Sequence, residues 1–212
     1  MSGLHFLTSD DFEIQRGPKG PILCTNLQGF SLILFYSTQC DYCQAFIPIF
    51  KRLPGSVGGC QFGMINVSHN KQCVMKSRQT IAPIKEVPYI ILYVNGKPYM
   101  RYRGPQDPRE IGRFIVEVSQ KVQTNQSFSK TDQRIKEDPR TGIPAYTIGH
   151  PLYGPDDKVC YLDFEEAYGQ DHIGPEQNHP RQQLPSQAGM GATGRQGYNQ
   201  DPSGMGSARG GF

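Results

Sequence analysis

SLILFYS, from Ser31 to Ser37, runs through seven residues without the apolar–polar alternation of a strand that has one wet face. An uninterrupted apolar run of this length is the signature of a strand covered on both faces. Such a strand needs helices or other cover on both sides of its sheet, which points to an α/β sandwich. The residues after it fit: DYCQAFIPIFKRL reads as a helix with apolar positions at Ala45, Phe46, Ile49, Phe50 and Leu53. Pro48 inside it removes a backbone donor and predicts a kink.

The same alternation extends over residues 4–122. HFLTSDDF predicts a short strand and a turn, QRGPKGP a loop, and ILCTNL a further short strand. CQFGMINVS reads as a strand, NKQCVMKSRQ as a helix and IAPIKEVP as a loop punctuated by proline. YIILYV and KPYMRYRG, joined by Asn95-Gly96, read as a β-hairpin, because Asn-Gly accepts the positive φ angles of a two-residue turn. DPREIGRFIVEVSQKV closes the series as an amphipathic helix with Ile111, Phe114, Ile115 and Val118 on one stripe. Strands separated by helices must lie parallel and the late hairpin adds antiparallel ones, so the central sheet is expected to be mixed.

Composition separates this region from the remainder of the chain. The protein has 212 residues, a formal net charge of +3, 24 glycines and 17 prolines, and its mean hydropathy is −0.53. Residues 123–169 are expected to form a linker and a docking extension, too short to build a core of their own. Residues 170–212 are a Gly/Gln/Pro-rich tail that cannot bury enough apolar surface to offset its ordering entropy. No secretory signal is read at the start, and no apolar run approaches the length of a membrane helix. A cytoplasmic location, no membrane partner and a reducing environment are therefore expected. There, six cysteines (Cys24, Cys40, Cys43, Cys60, Cys73, Cys160) point to redox, metal or core roles rather than a static disulfide framework.

Cys40 and Cys43, spaced CxxC at the start of the first helix, carry the chemistry. A cysteine in the first turn lies near unpaired backbone N–H groups and the positive end of the helix dipole, which stabilise the attacking thiolate. A second thiol one turn on can displace a mixed disulfide. The pair can be redox-active, can be a retained dithiol in a scaffold, or can join a metal site. Zinc needs four ligands, and Cys60, His69 and Cys73 read better as core or surface groups than as partners in such a site, so neither metal nor cofactor is expected.

These features together resemble the thioredoxin superfamily over residues 4–122: the CxxC after a buried strand, Pro48 five residues beyond it, Val87-Pro88 before the hairpin, and Gly104 after it. The resemblance implies a thioredoxin-like fold, a cis peptide bond at Pro88, and thiol–disulfide exchange on protein substrates. It makes Cys40 the nucleophile and Cys43 the resolving thiol, with Val87, Pro88, Tyr42 and Tyr89 about the substrate groove; the two tyrosines are either a substrate platform or simply exposed aromatics. The chain departs from the family at Gln39 and Asp41-Tyr42, where thioredoxins carry Trp and Gly-Pro. It also has Leu34 and Met64 where they carry a buried carboxylate and the lysine facing it. Asp41 beside Cys40 disfavours its thiolate, which predicts a reductant or isomerase rather than a strong oxidant.

Outside the domain, VCYLDFEEAYG alternates Cys160, Leu162 and Phe164 like a strand face, and Asp163 with Glu166 can cap a short helical turn stopped by Gly169. It reads either as a strap over its own domain or as a docking segment for a larger assembly. With the tail, it is similar to thioredoxin-like virion proteins of large DNA viruses. That similarity implies a second function class: a minor capsid component whose residues 123–212 dock on neighbouring subunits in the virion. A single RGGF repeat does not make nucleic acid an expected partner.

Overall fold

The computed structural model describes residues 3–126, 128, 132–138, 140–148 and 158–162. The low-complexity tail and the turn expected at residues 163–169 lie outside them. The long apolar run forms β4 (Phe30–Tyr36), and all of its residues from Ser31 to Phe35 are buried. Its alternate side chains feed two separate cores. Ile33 and Phe35 enter one with Leu23, Val74, Ile84 and Tyr93. Leu32 and Leu34 enter the other with Phe46, Phe50, Phe114 and Val118. A strand that serves two cores has no wet face, and this explains the missing alternation.

Around it lie β1 (Leu4–Phe6), β5 (Cys60–Asn66), β7 (Tyr89–Val94) and β8 (Lys97–Tyr102), with helices α1 (Asp41–Phe50), α2 (Lys71–Arg78) and α3 (Pro108–Gln123). β4 pairs parallel with β5 and antiparallel with β7, so the sheet is mixed, as expected. β7 and β8 form the hairpin about Asn95 and Gly96, both at positive φ. Gly96 is also held by space, because a Cβ there would run into the Thr25 carbonyl oxygen. α3 starts at Asp107, whose carboxylate accepts from the backbone N–H groups of Arg109 and Glu110, with Pro108 just inside the helix. Both features favour a start at that point.

Two parts of the fold differ from expectation. QRGPKGP does more than loop: β2 (Phe12–Gly17) and β3 (Gly20–Thr25) pair antiparallel across it, leaving only Pro18-Lys19 as the turn. Proline there marked the turn but hid β2 and the first two residues of β3, the strand that ILCTNL announces. The proline-punctuated loop before the hairpin also contains a two-residue strand, β6 (Glu86–Val87), outside the main sheet.

The region after residue 122 adds to the same sheet. β9 (Ile135–Glu137) and β10 (Pro144–Tyr146) give the order β1-β5-β4-β7-β8-β10-β9, with β10 parallel to β8. Tyr146 is buried 4.9 Å from Phe114 between ring centroids, and its hydroxyl donates to Glu117 at 2.8 Å. Arg134 bridges the same Glu117 and Asp132. No helix among the described residues is long and apolar enough to cross a membrane.

Candidate active site

β4 delivers the chain to the start of α1, where Cys40 is the N-cap residue and Cys43 the third residue of the helix. Cap and third residue lie one turn apart on the same end of a helix, so both sulfurs belong to one site. The other wall is the cis peptide bond Val87–Pro88. The Cys40 sulfur lies 3.6 Å from the Val87 carbonyl oxygen. Cys40 and Cys43 are buried in the same apolar cluster as Val87.

Cys40 is bonded to Cys160, 120 residues away, with the two Cα atoms 6.0 Å apart. Cys43 keeps a free thiol. The two cysteines of the CxxC are thus neighbours but not joined to each other. Burial pushes the Cys43 thiol up to about 11, against a smaller opposing effect of a backbone hydrogen bond from Ser37.

Cys160 arrives on β11 (Cys160–Tyr161), which pairs antiparallel with β6: Cys160 faces Val87 and Tyr161 faces Glu86. The Leu162 N–H donates to the Lys85 carbonyl at 2.8 Å and extends the pairing by one residue. Cys160 and Leu162 pack on the cluster that holds the site, whereas Tyr161 is 64% exposed. The period-2 reading of VCYL therefore describes the strand. That pattern was the signal that Cys160 could face the domain; its pairing with Cys40 was beyond it, because spacing along the chain carries no information across 120 residues.

Of the remaining predicted groove residues, Tyr42 stands 43% exposed on the first turn of α1. Tyr89 does not flank the groove: it is 1% exposed and turned into the core, with the Arg101 guanidinium 4.2 Å from its ring centre. Tyr89 is the first residue of β7, directly after the cis bond, and the sheet's alternation sends its side chain inward. Val87 is likewise fully buried and offers the site its backbone rather than its side chain.

Below β6 lies a buried charge cluster that no sequence pattern announces. Arg101 pairs with Glu86 and, at 3.3 Å, with Asp138; Arg103 lies 3.9 Å from Glu86. Buried charges are tolerable only when paired in this way. Asp138 comes from the region after residue 122, so that region helps fix the strand on which the groove is built. Leu34 and Met64 face each other across β4 and β5, both buried, as the joint replacement of a charge pair requires. The thiols of Cys60 and Cys73 are buried and each is pushed up to about 12, mainly by desolvation. Among the described residues no group of His, Cys, Asp and Glu is arranged to hold a metal.

Comparison with known proteins gives a match to the family model described as Thioredoxin over residues 24–117. Protein 196R of Invertebrate iridescent virus 6, described as uncharacterized, is 33% identical over 175 residues, covering 79% of this chain and 95% of that protein. Protein 020R of Invertebrate iridescent virus 3, also described as uncharacterized, is 29% identical over 78% of this chain and 96% of its own length. Among solved structures, the Trx4 domain of ERdj5 is 20% identical, with a TM-score of 0.42 over 56% of this chain and 96% of that domain.

Proposed function

We propose that this chain, which belongs to the thioredoxin superfamily and is similar to the iridescent virus proteins 196R and 020R, catalyses thiol–disulfide exchange on protein substrates. The observation that carries the reading is the placement of Cys40: at the N-cap of α1, against the cis Val87–Pro88 bond, already engaged in a disulfide with a cysteine on an added strand. An N-cap thiolate is stabilised by the helix's free N–H groups, and the β6 edge that β11 occupies can hold an extended peptide by strand addition once β11 has left it. Cys40 attacks a substrate disulfide, one substrate sulfur leaves as a thiol, and the mixed disulfide is resolved by Cys43. The two electrons come from the Cys40 and Cys43 thiols, and an external dithiol restores them.

Asp41 is exposed at the first position of α1, beside the reacting sulfur. Its charge opposes thiolate formation at Cys40, which supports a reductase or isomerase rather than an oxidase. Reduction of insulin by dithiothreitol tests the proposal: the wild type should accelerate it and Cys40→Ser should return the rate to background. Equal rates for the two proteins would reject it.

A second reading, a scaffold kept for its shape and used in assembly of a viral particle, is favoured by Leu34 and Met64. These leave the site without the buried acid–base pair of the family. It predicts background rates for both proteins in the same assay.

A further inference from the structure

Residues 158–162 do what a bound substrate would do. The segment is extended, adds antiparallel to β6, carries a cysteine opposite Val87, and has that cysteine bonded to Cys40. Leu162, two residues on, points to the same side as Cys160 and rests on the cluster around the site. Lys158 and Val159 help line a cavity of about 330 Å³ that also contains Pro88, Arg101 and Arg103. With the segment seated, Cys40 is 2% exposed, too little for an incoming peptide to reach its sulfur.

We propose that residues 158–162 are a built-in substrate surrogate and that Cys160 is a third exchanging thiol, which Cys43 displaces from Cys40. The inference rests on the exchange function proposed for Cys40 and deepens it. The step balances without an outside reagent. The Cys43 thiol gives its proton to solvent and its thiolate attacks the Cys40 sulfur. The Cys40–Cys43 bond forms as the Cys40–Cys160 bond breaks, and the electron pair leaves on Cys160, which takes up a proton. One disulfide replaces another, β11 is free to leave β6, and the groove opens. The surrogate also describes the substrate class: an extended segment, antiparallel to β6, with an aliphatic side chain two residues after its cysteine.

The test uses the full chain. Oxidised wild type, incubated at pH 8.5 without added thiol and then alkylated, should lose Cys40–Cys160 and gain Cys40–Cys43, with Cys160 becoming alkylated one for one. Oxidised Cys43→Ser should hold Cys40–Cys160 throughout. After reduction, the double variant Cys43→Ser, Cys160→Ser should form a mixed disulfide with an oxidised dimer of the capped peptide Lys-Val-Cys-Tyr-Leu at least about tenfold faster than Cys43→Ser alone. It should also favour that peptide over one with Asp in place of its Leu.

Absence of Cys40–Cys160 from oxidised Cys43→Ser would overturn the inference, as would a wild-type Cys40–Cys160 bond that persists unchanged while Cys43 is alkylated. The wild-type measurement needs no variant to fold. If insulin reduction depends on Cys40 while the Cys160 exchange fails, only this inference falls. If Cys160 is released while insulin reduction stays at background in every protein, the inference stands and the exchange function on protein substrates falls.

Discussion

Cys43 sits between two roles that burial sets against each other. The same apolar surroundings that shield it from stray oxidants hold its thiol up to about 11, so at pH 7 only about one molecule in ten thousand carries the thiolate. Since the thiolate is the attacking form, resolution by Cys43 should speed up about tenfold per pH unit from pH 7 and level off near pH 11. Stopped-time alkylation of the oxidised protein across that range checks this; a flat profile would show that a group other than Cys43 limits the step. Residue chemistry was legible in the sequence where it depended on near neighbours, as for Cys40 and Cys43 at the head of a helix. It was not legible for Tyr89. There, a single step past the cis bond decides which side of the sheet the ring occupies.

Elements whose boundaries follow from local chemistry read most clearly. Asn95-Gly96 marked the β7–β8 hairpin, and Asp107-Pro108 marks the start of α3. The hairpin turn is also a tertiary contact, because Gly96 lies against the Thr25 carbonyl at the end of β3. Gly96→Ala therefore combines positive-φ strain with a backbone collision and should cost about 2 kcal/mol or more. Asp107→Ala removes only a cap and should cost about 1 kcal/mol. Urea unfolding of the two variants beside the wild type measures both, and an equal or reversed order would contradict this account of the turn. β3 was legible as ILCTNL, but β2 was obscured because Gly17, Pro18 and Gly20 crowd the turn after it, and β6 because two residues leave no period to read. β9 and β10 are three residues each; what holds them is β8's edge, Tyr146 and the Arg134 pairs, none of which is visible along the chain.

The whole molecule joins a sheet that the sequence largely foretold to a C-terminal region whose position it left open. Asp138 braces the buried cluster beneath the groove, and Cys160 closes over the groove itself. Both contacts run from the region after residue 122 back to the domain, in the manner of a strap. Neither could be inferred from periodicity, because each depends on a partner far away in sequence. A disulfide that serves only to staple the strap and one that takes part in exchange differ in how readily they are reduced. Structural disulfides resist the cellular thiol pool, with potentials below about −300 mV. The measurement that decides most directly is the equilibrium of the full chain with graded glutathione buffers, read by alkylation and mass spectrometry at Cys40, Cys43 and Cys160. Exchange chemistry predicts that Cys40 passes from disulfide to thiol within the window of about −300 to −150 mV that spans the cellular couples. A Cys40–Cys160 bond that stays closed across the whole window would contradict it, and would leave the fold holding a staple rather than an active site.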